Sequence, residues 1–153
     1  PKRVVVGGRL NLADLNAGAD IGFVNGALFD DYWVANTLGE TTFTLGWKPD
    51  NTVLFQQNFR ITVEEPLRFT EGLTPYEISW DPANPKALLV APEVNREISD
   101  VLYTWKRNGR IIGYGKRIEV PVEQGTNLFT VEVNDQKVAY SEPVSATITV
   151  NAQ

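Results

Sequence analysis

Cysteine and histidine are both missing from this 153-residue chain. Without cysteine no disulfide can staple the fold, and no thiolate is on hand as a metal ligand or nucleophile. Without histidine there is no Ser-His or Cys-His relay, no imidazole ligand, and not the commonest general base. A basic excess is lacking too. Residues 1–74 carry 6 basic and 9 acidic side chains and residues 75–153 carry 8 and 10, which speaks against phosphate-driven binding of nucleic acid. No run approaches the roughly 20 apolar residues of a membrane span, so no membrane insertion is expected. The opening Pro1-Lys2-Arg3-Val4-Val5-Val6-Gly7-Gly8 is too short in apolar residues for a signal-peptide core. Its start at Pro1 is what trimming of an initiator methionine leaves, and a processed precursor would look the same.

The acidic side chains do not assemble a reaction centre on paper. The adjacent pairs are Asp30-Asp31 and Glu64-Glu65. A glycosidase needs two carboxylates facing each other across about 5–10 Å, whereas neighbours in a strand point to opposite faces. No Asp-x-Asp-x-Asp-Gly run supplies a calcium loop, and Gly7-Gly8-Arg9 lacks the Gly-Lys-Ser/Thr of a phosphate loop. The chain reads as non-enzymatic, with no catalytic residues, no metal and no cofactor.

What is present is β pattern. Arg3–Val6 reads as a short strand, and Asn11–Asp20 mixes helix formers with helix-breaking Asn and Gly. Ile21–Leu28 is interrupted by Gly22 and Gly26. Phe43, Leu45 and Trp47 share one strand face, Lys48-Pro49-Asp50-Asn51 is a turn, and 41–56 reads as a hairpin. Phe59–Val63 reads as a third strand, ended by Pro66. A boundary is expected near Thr70–Pro75, giving an attachment domain over 1–74 and a second domain over 75–153.

The second half is the more regular. Strands are expected at Tyr76–Trp80, Lys86–Ala91, Val101–Arg107, Arg110–Tyr114, Arg117–Val122, Asn127–Asn134 and Pro143–Val150, with turns at Asn108-Gly109, Glu123-Gln124-Gly125 and Asn134-Asp135. Alternation aligns Tyr103 with Trp105, Ile118 with Val120, Phe129 with Val131 and Val133, and Ile148 with Val150, which makes these residues the predicted core.

With Trp105 in a core-tryptophan place and a glycine-led strand from Gln124 to Asp135, residues 75–153 resemble the immunoglobulin-like superfamily, especially its disulfide-free PKD-type and phage modules. The missing bridge sets the chain apart from secreted vertebrate members. Phe129 stands where a corner tyrosine is usual and Val131 where a cysteine often sits. The resemblance implies an all-β protein: a C-terminal immunoglobulin-like β-sandwich preceded by a smaller, partly irregular β domain.

As a whole the layout resembles the decoration (cement) proteins of tailed-bacteriophage heads. That likeness implies a structural virion protein, made in the host cytoplasm and placed on the capsid surface, with the major capsid protein as partner. Its N-terminal part would grip the shell and its Ig-like domain would project. The apolar group Ile21, Phe23, Val24, Leu28, Phe29, Tyr32 and Trp33, which no period explains, is the expected attachment surface. Phe43, Leu45 and Trp47 are expected to be core, and Arg3–Gly8 an ordinary first strand or a frayed end, with a strand-adding arm as the lesser alternative. Lys106, Arg107, Arg110, Lys116 and Arg117 cluster around the Asn108-Gly109 turn. They are a candidate contact for host-surface glycans, although a solvated sheet face is the plainer reading. Alternative functions are a carbohydrate-binding or adhesin module, stacking exposed tryptophans on sugars, or a phage tail accessory.

Overall fold

In the computed structural model the described residues are 2–11, 20–23, 27–29, 32–47 and 55–153, with side chains described at 3–9, 34–40 and 60–153. The described residues form strands and one short 3-10 turn at Ile98–Asp100. Contacts divide the chain into two compact units. The first is Pro1–Pro66 with Lys137–Ser141, and the second is Leu67–Gln136 with Glu142–Gln153.

Among the described residues the first unit holds seven strands: β1 (Lys2–Val5), β2 (Arg9–Asn11), β3 (Asp20–Phe23), β4 (Ala27–Phe29), β5 (Tyr32–Val34), β6 (Gly39–Trp47) and β7 (Phe55–Glu64). They make a four-stranded sheet in the order β1-β7-β6-β3 and a three-stranded sheet in the order β2-β5-β4. Two expectations change here. Phe55–Glu64 is one continuous strand, not two, because nothing between Gln56 and Phe59 turns the chain or removes an amide. The apolar stretch expected to be irregular is largely strand. Ile21 and Phe23 register with Leu45 and Phe43, and Leu28 and Phe29 with Trp33 and Tyr32. Gly22 weakens β3 but does not forbid it, because the neighbouring ladder satisfies its backbone.

β1 ends the four-stranded sheet but is paired on both sides. It lies parallel to β7, with Arg3 opposite Thr62 and Val5 opposite Glu64. On its other side it bridges Ala139. The Val5 amide donates to the Ala139 carbonyl at 3.0 Å, and the Ala139 amide to the Arg3 carbonyl at 2.9 Å. The segment lying between the last two strands of the chain thus extends the sheet begun by the first. Val4, Ile61, Val63 and Val138 are buried in this unit. At Gly8 a Cβ would sit 2.6 Å from Val4 Cγ2 and 2.9 Å from the Val5 carbonyl, so only glycine fits that close approach.

The second unit contains β8 (Tyr76–Ile78), β9 (Lys86–Val90), β10 (Val101–Arg107), β11 (Arg110–Tyr114), β12 (Arg117–Pro121), β13 (Gly125–Asp135) and β14 (Val144–Ala152). A five-stranded sheet, β11-β10-β13-β14-β8, faces a two-stranded one, β12-β9. β10 and β11 are joined by Asn108 (φ 52°) and Gly109 (φ 78°). Two successive positive φ values match the strand twist in a two-residue hairpin, which is why Asn-Gly occurs there. The turn expected at Asn134-Asp135 is instead the end of β13, where the two residues pair with Leu102 and Val101. This unit begins at Leu67 and not at residue 75, because Leu67 is buried in the sandwich core and Phe69 bridges Val94.

Candidate functional site

The second unit encloses its predicted core. Trp105 is fully buried at the centre, and Tyr103, Val120, Phe129, Val131, Val133 and Ile148 are buried around it. Ile118 is half-buried against the same cluster. Period-two alternation places them so: Tyr103 pairs with Val133 and Trp105 with Val131 across β10 and β13. Burying side chains of this size contributes about 1.5–3 kcal/mol each. The Trp105 indole N–H donates to the Gly115 carbonyl at 2.7 Å, so its polar atom is satisfied inside the core.

Two polar clamps lie at the two ends of β13. Asn127 is buried. Its amide nitrogen donates to the carbonyls of Glu123 at 2.8 Å and Gly125 at 3.2 Å, while its oxygen accepts from the Glu123 amide at 2.9 Å and the Arg107 guanidinium at 3.0 Å. It ties the turn before β13 to itself, a task Phe129 has no hydroxyl to perform. The other clamp is an ion pair, Arg96 Nε to Asp135 Oδ2 at 2.7 Å, with side chains only 4% and 0% exposed. Arg96 also donates to the Asn95 carbonyl at 3.0 Å. Neither clamp is legible in the sequence: a lone Asn at a strand start and an acid at its end carry no pattern. A polar residue on the inward phase of β13 is the one available hint for Asn127.

The basic cluster is divided among separate duties. Lys106 Nζ lies 3.6 Å from Glu132. The Arg107 guanidinium donates to the Pro121 carbonyl and Asn127, and stacks 4.9 Å from the Phe129 ring centroid. Lys116 pairs with Glu93 at 2.7 Å and lies 5.4 Å from the Tyr103 ring centroid. Burial works to lower the Lys116 pKa, but the hydrogen bond to Glu93 and the attraction of Tyr103 and Glu93 together outweigh it, and the pKa is raised. Arg110 and Arg117 remain exposed. Three of the five cations are therefore engaged within the unit, and Arg110 stands opposite Arg107 across the hairpin.

Of the proposed attachment residues, Ile21, Phe23, Leu28, Phe29, Tyr32 and Trp33 lie in strands whose side chains are outside the described ones, as are those of Phe43, Leu45 and Trp47. Val24 and Asp30-Asp31 are outside the described residues altogether. Glu64 is engaged by Arg3 through two contacts, at 3.1 and 3.0 Å, and so holds β1 to β7. Among the described residues no group of three or more His, Cys, Asp or Glu side chains is placed to hold a metal ion. The sugar-stacking alternative asks for exposed tryptophans; Trp105 is enclosed and Trp80 is half-buried against the core. A cleft of about 370 Å³ opens in the second unit, walled by Leu73, Pro75, Tyr76, Val90, Pro92 and Ile148. Glu71 and Thr74 also line it, so its walls are mixed, and the Tyr76 hydroxyl is occupied by the Val90 amide at 3.0 Å.

Two sheets packed face to face, with a fully buried tryptophan on β10 opposite β13, define an immunoglobulin-like sandwich. No protein-family model matches the chain, and no curated protein matches it in sequence. Its likenesses are to solved structures. An I-band fragment of titin aligns over 98% of this chain and 62% of its own length, with 11% identity and a TM-score of 0.57. The first four immunoglobulin domains of Sidekick-1 align over 99% and 48%, with 15% identity and a TM-score of 0.44. Fibronectin(III)-like modules of Clostridium thermocellum CbhA align over 99% and 90%, with 14% identity and a TM-score of 0.43. The chain spans about half of the Sidekick-1 fragment and about three-fifths of the titin fragment. The likeness is one of fold: an all-β chain with immunoglobulin-like architecture.

Proposed function

We propose that the chain is a non-enzymatic structural protein of a virion, decorating a tailed-phage capsid through its first unit and displaying the immunoglobulin-like unit outward. At the coarser level, an immunoglobulin-like fold fits an adhesion or structural module, and such folds are typically non-catalytic. The observation that carries the proposal is the closure of the second unit. Its interior is filled by its own side chains and its polar buried groups, Asn127 and the Arg96–Asp135 pair, are held within it. A module so closed needs no partner to keep its shape. That suits display, and it leaves attachment to the apolar residues of the first unit, Ile21 to Trp33.

The mechanism would be adhesive. Apolar surface buried across contacts between capsomers adds interface area and stabilises the assembled shell by mass action. The partner is then the major capsid protein, the location the capsid surface, and any contact of the displayed unit with host glycans weak. The test is co-sedimentation of the full chain with shells that lack it, together with thermal disruption of those shells. The full chain is expected to pellet with shells and raise their disruption temperature. Phe29→Asp with Trp33→Asp is expected to weaken binding by about tenfold or more while the near-ultraviolet spectrum of the second unit persists. Failure to pellet, with retention on a glycan array instead, would replace this proposal with the carbohydrate-binding one.

A further inference from the structure

β11 ends the five-stranded sheet, and among the described residues no strand pairs with its outer edge. Native sheets usually guard such an edge with charge, proline or burial, since its unpaired N–H and C=O groups are a template for another strand. Here the guards are the charge of Arg110 and a register shift against β10 between Trp105 and Lys106, and among the described residues no proline or covering strand is added. Ile111 is 54% exposed, Ile112 39% and Tyr114 60%, so every large apolar side chain on the strand faces solvent. Arginines bracket the run. Arg110 opens β11, and Arg117 opens β12, which is the edge strand of the facing sheet.

The charge on this rim is one-sided. The acids around it are each taken by a lysine: Glu93 by Lys116, Glu119 by Lys86 and Glu132 by Lys106. Arg110 and Arg117 are exposed and make no ion pair with a described residue. An apolar strand edge carrying two uncompensated cations calls for a complementary anion at each end of an apolar, extended segment.

We propose that the free edge of β11 docks an extended acidic segment of another protein, added as a sixth strand to the five-stranded sheet. From Arg110 to Tyr114 the strand measures roughly 14 Å at the usual rise per residue. The fitting segment is therefore about five to seven residues long, β-branched in its middle and carrying Asp or Glu near both ends. Main-chain bonds supply the pairing, Ile111, Ile112 and Tyr114 the apolar contact, and the arginines the choice of sign. A second copy of this chain fits less well, because two β11 edges brought together would place four arginines along one seam without an acid to meet them. The docking edge lies wholly in the second unit and stands apart from the shell-binding proposal.

The test uses the full chain labelled with nitrogen-15, titrated with a capped Glu-Val-Thr-Val-Thr-Val-Glu peptide and with its Lys-ended counterpart. The acidic peptide is expected to shift the amides of residues 110–114, slow their hydrogen exchange, and bind more weakly as salt rises. The Lys-ended peptide is expected to leave them unmoved. Arg110→Glu with Arg117→Glu, at two exposed sites, is expected to keep the spectrum of the fold, lose about tenfold or more in affinity for the acidic peptide, and gain the basic one. Absence of β11 shifts at millimolar acidic peptide would overturn the proposal. So would equal binding of both peptides, unchanged affinity after charge reversal, or a wild-type chain that already dimerises through β11.

Discussion

The two units are built on different terms. The second draws its core from its own stretch of chain: strands that follow one another pack Trp105, Phe129 and Leu89 into a closed interior, and its polar clamps join residues of the same unit. The first is completed from a distance. Its strand β1 is flanked by β7, about sixty residues on in the sequence, and by Ala139, which belongs to the connection between β13 and β14. The chain consequently passes between the units three times, after Pro66, after Gln136 and after Ser141. One unit lends a short segment, joined by a single bridge at Ala139, and the other receives it. The lender is expected to survive loss of the borrower better than the reverse, because Lys137–Ser141 is held at both its ends by strands of the second unit.

The largest expected effect tests that asymmetry from the lender's side. Asp135→Ala leaves the Arg96 guanidinium buried beside an empty carboxylate site, which costs about 3–5 kcal/mol. Because residue 135 closes β13 just before the lent segment, hydrogen exchange is expected to accelerate both in β13 and in residues 3–5. Acceleration confined to β13 would break the comparison. From the borrower's side, Gly8→Ala pushes a methyl against Val4 and the Val5 carbonyl, and crowding of this kind costs about 1–3 kcal/mol. Exchange should quicken at residues 3–5 and 138–140 while β10 and β13 keep their protection; equal loss in β10 would show the units to be one cooperative block. The smallest effect is a pH dependence within the second unit. The folded pKa of Lys116 is raised, so its stabilisation is complete below the unfolded lysine value of about 10.4 and is lost as pH rises through the folded value. Glu93→Gln should remove that alkaline loss at a cost under about 1 kcal/mol, since Glu93 is largely exposed. A urea titration at pH 9 and pH 11 reads it.

Legibility followed the same division. In the second unit all seven strands were visible in the alternation, and Asn108-Gly109 announced its hairpin, because one apolar face and one wet face write a period of two into the chain. In the first unit Phe55–Glu64 was read as two strands, since polar Gln57 and Asn58 interrupt the apolar run without breaking the ladder. The strands β3, β4 and β5 were hidden by their brevity and by Gly22 and Gly26. Of the basic cluster, Arg107 and Arg110 stand opposite each other across β10 and β11. Lys106 and Arg107 leave their strand on opposite faces, and Lys116 finds Glu93, so these three charges serve different contacts.

By itself the sequence determined the all-β class, the closed tryptophan-centred interior of the second unit, and the absence of cysteine and histidine chemistry. Each of these is a local property: a period, a turn dipeptide, a residue type that is or is not there. The tertiary structure alone decided that Lys137–Ser141 belongs to the first unit, that Arg96 meets Asp135, that Asn127 clamps its own turn, and that β11 is left as a bare edge between two arginines. Alternation says which face of a strand is apolar; it carries no information on which distant strand will lie alongside, because backbone pairing is blind to side-chain identity and is chosen by the packing of the whole.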